Sequence, residues 1–237
     1  MTKTALETIK RDFSCLLVDV RVALQALQID VVNIRQFLVS FFQRDDCIPK
    51  SSDLTEIFNA ISVAKLWHYD HYGPLKQLAE SFLPEENPAR KRITDYRSQL
   101  SGFYTTTKII DFIDLSDSED YPQQEFSPEK YKPHYHKLTL TLKLDRKVKL
   151  SDLTLKYVDT LWKALIEEFN LPPLTVVIDK IVKGSLIISW LIPQELASVI
   201  LGSYSKAIGF YEQQNIVQVK VDGKVLYDQN WIVSSID

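Results

Sequence analysis

Leu174–Pro193, LTVVIDKIVKGSLIISWLIP, is two apolar runs joined at Lys183-Gly184. Val, Ile and Trp dominate both arms, and such residues suit a pleated, half-buried surface. The Lys-Gly pair stands where a tight hairpin needs a residue tolerant of positive φ. Each arm has the length of an ordinary strand. Upstream, Leu138-Thr-Leu-Thr-Leu-Lys-Leu144 alternates strictly, which predicts a strand with one wet face. Between the two, Ser151 is placed to cap a helix whose apolar stripe is Val158, Leu161, Trp162, Leu165, Ile166 and Phe169, and Pro172-Pro173 stops it. Downstream, Pro193 starts a second helix carrying Leu196, Val199, Ile200, Ala207 and Phe210. Ile216–Val221 alternates again, and Asp222-Gly223 turns it into Lys224–Tyr227.

The order over residues 134–237 is therefore β-α-β-β-α-β plus a short extra strand. That is the order of a ferredoxin-like sandwich, an antiparallel sheet with two helices on one face. Residues 1–113 read differently. Leu6, Ile9, Phe13, Leu16, Leu17, Val20, Ala23, Leu24 and Leu27 fall at helical spacing. Asp30 caps a second helix, and Asp53-Leu-Thr-Glu56 has capping-box spacing before a third. Gly73-Pro74 and Asn87-Pro88 open two more. Thr105-Thr106-Thr107 has poor helix propensity and marks an end. The whole is α+β: an all-α helical bundle, a connector, then the ferredoxin-like domain.

The connector, residues 114–133, holds Asp114-Leu-Ser-Asp-Ser-Glu-Asp120 and then Pro122, Pro128 and Pro133, the composition of an extended linker. Basic against acidic residues number 14 to 15 over 1–115, 2 to 5 over 116–133 and 12 to 11 over 134–237, so the acidity concentrates there. Ser116 and Ser118 lie among acids, the setting an acid-directed kinase reads.

A chain of 237 residues with 45% hydrophobic and 25% charged residues is ordinary for a globular protein. Its net charge of −3 provides no strong field toward nucleic acid or an anionic membrane. Cys15 and Cys47 are too few for a disulfide framework and suit a reducing compartment. The N-terminus lacks a signal-peptide core and no apolar run reaches the length of a membrane span. A cytoplasmic location is the expectation.

Catalytic signatures are sparse. The glycines at 73, 102, 184, 202, 209 and 223 are scattered, so neither a P-loop nor a dinucleotide fingerprint assembles. Asp159 and Asp179 are isolated carboxylates, and an enzyme with distributed carboxylates ranks below a binding module. Trp67-His-Tyr-Asp-His-Tyr72 offers His68 and His71, with His134 and His136 elsewhere, as zinc ligands, but histidines three apart without cysteine are a weak signature. The plainer reading has Trp67 and Tyr72 anchored in the bundle with the histidines at the surface. No cofactor and no metal is expected.

The same strand order serves RNA-recognition modules, whose third-strand signature alternates aromatics after Lys/Arg-Gly. Here Lys183, Gly184, Ile188 and Trp190 fit, while Ser185 and Ile187 occupy the base-stacking positions. A small basic cluster, Lys143, Arg146, Lys147 and Lys149, is the remaining feature for phosphate. Stacking is worth about 1–3 kcal/mol per base, so a sheet without its rings loses most of that platform. RNA binding is the alternative to protein binding.

From the helix ending near Phe169 through TVVIDKIV and SLIISWLIP to the next helix, the chain resembles the N-terminal protein-binding domain of tumour-necrosis-receptor-associated death-domain adaptors. GSLIISWLIP, with LWHYDHYGPLKQLAESF before it, also resembles modules of invertebrate innate-immunity-type proteins that contain death folds. The resemblance implies a death-fold-like helical half and an adaptor that recruits protein partners in innate-immune or cell-death signalling. No functional residue of those families is matched. The candidate partner-binding surface is the outer sheet face: Thr139, Thr141, Lys143, Ile187, Ser189, Leu191 and Lys220, with Ile187 and Leu191 apolar on a face otherwise wet.

Overall fold

The computed structural model describes residues 2–42, 45–64, 66–70, 72–116, 135–144, 148–171, 177–182 and 186–229. The chain divides into two compact units, Lys3–Phe103 and Tyr104–Asp237.

The first unit is helical: α1 (Thr2–Ala26), α2 (Val31–Phe42), α3 (Leu54–Val63), α4 (Gly73–Phe82) and α5 (Pro88–Thr106), the division falling in the last turn of α5. The stripe of α1 is Leu6, Ile9, Phe13, Leu16, Val20 and Leu24, all buried at spacings of three or four, which keeps them on one side of a 3.6-residue helix. Asp30 Oδ1 accepts from Val32 N–H at 2.9 Å, Asp53 Oδ1 from Thr55 N–H at 2.8 Å and Asn87 Oδ1 from Ala89 N–H at 3.0 Å. Each satisfies a donor that a helix start leaves orphaned. Arg35 pins the loop before α3: its guanidinium donates to the carbonyls of Ile48 and Pro49 (2.9 Å each) and pairs with Asp45. Trp67 is buried against the rings of Phe42 and Phe58.

The second unit comprises α6 (Ile109–Ser116), β1 (Tyr135–Leu142), α7 (Leu155–Phe169), β2 (Val177–Val182), β3 (Leu186–Pro193), α8 (Gln194–Ser203), α9 (Ile208–Gln213), β4 (Ile216–Val221) and β5 (Lys224–Asp228). Among the described residues the strands form one antiparallel sheet in the order β2-β3-β1-β4-β5. The register sets Leu138 opposite Trp190, Leu140 opposite Ile188 and Leu142 opposite Leu186, every one of them buried. Val219 and Val221 of β4 continue that inner layer. The helices cover it: α8 packs on β1 and β3, and Trp162 of α7 lies 5.8 Å, ring to ring, from Trp190. Leu155, Val158, Leu161, Leu165 and Phe169 make the buried stripe of α7.

The hairpin of β2 and β3 pairs as its sequence predicts, while its Lys183-Gly184 turn lies outside the described residues. The Asp222-Gly223 turn is described. Both residues take positive φ (50° and 80°), the geometry that matches strand twist in a two-residue hairpin.

Three expectations about local structure are corrected. Ser151 does not cap α7; it sits in a 3₁₀ turn, Leu150–Asp152, and Thr154 occupies the cap position without a side-chain bond. Ser151 is four residues ahead of Leu155, too far to reach the first free N–H groups. The helix expected to run unbroken past Phe210 is interrupted by a 3₁₀ turn, Tyr204–Ala207, just after Gly202 and Ser203, where helix propensity is lowest. Finally, Ile109–Ser116 forms a helix of the sheet unit. Ile109, Phe112 and Ile113 are buried, and α6 packs on β2 and on the 3₁₀ turn before α7. A two-residue bridge fixes its start: Ile109 N–H donates to Leu153 O and Leu155 N–H to Thr107 O, both at 2.9 Å.

Three large buried apolar side chains are worth about 1.5–3 kcal/mol each, a large part of the roughly 5–15 kcal/mol that holds a domain folded. A fragment beginning at residue 104 will therefore unfold cooperatively in urea. One beginning at residue 134, which lacks α6, will lose about 5 kcal/mol or fail to fold. Equal midpoints for the two fragments would contradict the placement of α6.

Candidate functional site

The face of the sheet opposite the inner layer is built by the same alternation. Thr139 stands between Ser189 of β3 and Lys220 of β4, and Thr141 between Ile187 and Gln218. Thr139 Oγ1 and Ser189 Oγ are 3.2 Å apart, a hydroxyl pair across the strands. Lys137, Thr139, Thr141, Ile187, Gln218 and Lys220 are half-buried, as expected for side chains standing on a pleated surface.

Two of the sequence-derived candidates are not on the accessible part of this face. Leu191 is 1% exposed and Ser189 5%, so neither is a wet-face residue. Lys143 is exposed but lies beyond the end of β1, where its N–H donates to Asn215 O at 2.9 Å. Period-two spacing tells which way a side chain faces, not whether that end of the face is covered. The sequence also missed one member of the face and the true start of β1. Gln218 shares the face, and its Nε2 donates to Asp228 Oδ2 at 2.6 Å. β1 begins at Tyr135, opposite Pro193, earlier than the expected start at Leu138.

One end of the strip is latched by Asp222. Its Oδ1 accepts from Lys137 N–H at 2.8 Å, its own N–H donates to Lys137 O at 2.9 Å, and its Oδ2 lies 2.6 Å from His136 Nδ1. The turn that reverses β4 into β5 thus also ties β4 to the start of β1. Trp190, the aromatic that fitted the RNA-module signature, is buried on the helix side against Trp162. The central positions of the outer strip carry hydroxyl, amide, amine and aliphatic groups, so bases find no ring there. Arg146 and Lys147 of the basic cluster lie outside the described residues.

The Trp-His-Tyr-Asp-His-Tyr segment belongs to the helical unit. Trp67 is buried as expected, and Tyr72 meets Tyr96 edge to face at 6.0 Å. His68 is not a surface residue: it is half-buried, its Nδ1 is bonded to the buried carboxylate of Asp70, and the Tyr69 ring lies 4.4 Å away. Tyr96 donates its hydroxyl hydrogen to Tyr69 O. Burial pushes the Tyr96 phenol far above its ordinary range, and the nearby Asp70 and Asp12 carboxylates add to the shift. His71 and His134 lie outside the described residues. Among the described residues, no three His, Cys, Asp or Glu side chains are grouped to hold a metal ion.

Of the carboxylates weighed for catalysis, Asp159 is a salt-bridged residue of α7. Burial raises its pKa, but hydrogen bonds from Lys163 (2.9 Å) and Lys156 (3.0 Å) outweigh that and hold it below the usual carboxylate range. Two shallow hollows are present among the described residues. One, of about 250 Å³, is lined by Lys143, Glu212, Asn215 and Gln229; the other, of about 240 Å³, lies between α4 and α5 and carries Lys76, Glu80, Glu85, Arg90 and Lys91. Their charges are mixed in sign, and in the second hollow Lys76 pairs with Glu80 at 3.5 Å. No helix of the described residues is long and apolar enough to cross a membrane.

Comparison of the chain with family models, with curated proteins and with solved structures finds no match in any of the three.

The Tyr96 environment makes a pH prediction. A phenol kept neutral by the fold contributes stability that is complete below its unfolded pKa of about 10 and is lost as pH rises beyond it. The chain will therefore lose stability above that pH. Tyr96→Phe will lower stability by about 1 kcal/mol at neutral pH, through the lost hydrogen bond, and will flatten the alkaline limb of the melting-temperature profile. An unchanged alkaline limb would contradict the burial of this hydroxyl.

Proposed function

We propose that the chain is a non-enzymatic, cytoplasmic protein-interaction module of adaptor type, in which the outer strip of the sheet is the contact surface. The sheet unit is read as ferredoxin-like. Its strand order β2-β3-β1-β4 supports this, with α7 joining β1 to β2 and α8–α9 joining β3 to β4, and β5 as a hairpin addition. The observation that carries the functional reading is the register. It lines up Thr139, Thr141, Ile187, Gln218 and Lys220 as one strip of mixed polar and aliphatic character. Such a strip offers hydroxyl, amide and amine donors around one half-buried aliphatic group, which suits a polypeptide better than a small substrate or a stack of bases. Neither Cys15 nor Cys47 forms a disulfide among the described residues, in keeping with a reducing compartment. The resemblance to death-fold adaptors supports the same class, with a role in innate-immune or cell-death signalling.

Ile187 is the test position, because it is half-buried on the strip and its replacement need not disturb the inner layer. Ile187→Asp will retain the far-ultraviolet spectrum and the cooperative melt. It will weaken recovery of proteins cross-linked to the strip in cells by at least about tenfold, since a charge set into an apolar contact is uncompensated. Recovery equal to that of the unaltered chain, with the fold intact, would overturn the assignment of this face.

A further inference from the structure

We propose that Asp222-Gly223 is a site of spontaneous succinimide formation and isoaspartate conversion, and that His136 and the Lys137 amide guard it. Asp222-Gly223 is the sole Asp-Gly pair in the sequence. A glycine after an aspartate has no Cβ to shield its backbone nitrogen, so that nitrogen can close on the aspartate Cγ. Both residues are exposed in the β4–β5 turn, and beyond the chain neighbours of Gly223 no atom lies within 4 Å of the place its Cβ would take. In the reaction the Gly223 nitrogen bonds to Asp222 Cγ and loses its proton, and one oxygen of the protonated carboxyl departs as water. Water then opens the imide. Cleavage at the main-chain carbonyl leaves the chain running through Cγ, one methylene longer and unchanged in mass. The folded turn opposes the first step. Asp222 Oδ1 accepts from Lys137 N–H at 2.8 Å, Asp222 N–H donates to Lys137 O at 2.9 Å, and Oδ2 lies 2.6 Å from His136 Nδ1. Both carboxylate oxygens are thus drawn across to β1, and Cγ with them, so ring closure onto Gly223 has to break these contacts. In isoaspartate the free carboxylate is the former main-chain carbonyl. The Lys137 N–H then loses its acceptor, and the turn no longer ties β4 to the start of β1. The chemistry is independent of what the strip binds.

The experiment keeps the full chain warm at mildly acidic pH, native and in urea, and follows residue 222 by peptide mapping, with an isoaspartyl methyltransferase as a second readout. The chain in urea will convert fastest. Each charge-assisted contact to the carboxylate that ring closure must break slows the step about tenfold. The native chain will therefore convert about a hundredfold more slowly than the unfolded one. His136→Ala, which removes one contact, will convert about tenfold faster than the unaltered native chain. Val158→Ala separates a local guard from general loosening, because it leaves a cavity under α7, in the buried stripe, and does not touch the turn. It will convert at the rate of the unaltered native chain. Conversion as fast in the native chain as in urea, no acceleration by His136→Ala, or equal acceleration by Val158→Ala and His136→Ala would each overturn the guard. An absence of isoaspartate even in urea would overturn the site itself.

Discussion

The pairing of Leu138 with Trp190, Leu140 with Ile188 and Leu142 with Leu186 is the constraint from which the sheet unit follows. All six side chains are buried, and each contributes about 1.5–3 kcal/mol relative to exposure. Because side chains alternate with a period of two, a slip of β1 by one residue would carry its three leucines to the other face and bring Thr139 and Thr141 inward. A domain stable by roughly 5–15 kcal/mol does not survive such an exchange. The register is therefore fixed by the inner layer, and the outer strip is whatever that register leaves outside. Its chemistry is a consequence of core packing, and its freedom to vary is what makes it a candidate for function.

Two local devices hold the strip's shape. Asp222 reaches from the β4–β5 turn to the start of β1 through three polar contacts, so the turn and the outer end of β1 move together. At the other end Asn215, with φ of 55°, ends α9 and presents its carbonyl to Lys143 N–H. Side chains presented from a surface held at both ends bind with less ordering cost than side chains on a loop. That favours recognition by the sheet over recognition by the segments around it.

Much of this was legible in the residues. Strict alternation in 138–142 and 216–221, the β-branched arms around Lys183-Gly184 and the Asp222-Gly223 pair predict the strands and a hairpin. The helix starts at Asp30, Asp53, Gly73 and Asn87 likewise follow from capping chemistry. What was not legible concerns neighbours rather than elements. Ile109–Ile113 has the apolar spacing of any amphipathic helix, and nothing in that spacing says it packs on β2 rather than in the bundle. Leu191 alternates with the outer residues, yet its 1% exposure depends on what lies over that end of the sheet. His68 reads as a surface histidine until Asp70 is seen buried beside it. Periodicity encodes direction; coverage is decided by tertiary packing.

The helical unit is a compact body of its own. Tyr96, Tyr72 and the His68–Asp70 pair form an aromatic and polar cluster, beside Trp67 packed on Phe42 and Phe58. The central claim, that the inner register organises the sheet unit, is tested most directly by amide hydrogen exchange of the full chain. The amides of residues 138–142 and 186–192 are predicted to be the slowest of the unit, exchanging together and only through its global unfolding. Exchange of residues 186–192 as fast as that of an exposed turn such as 222–224 would contradict it.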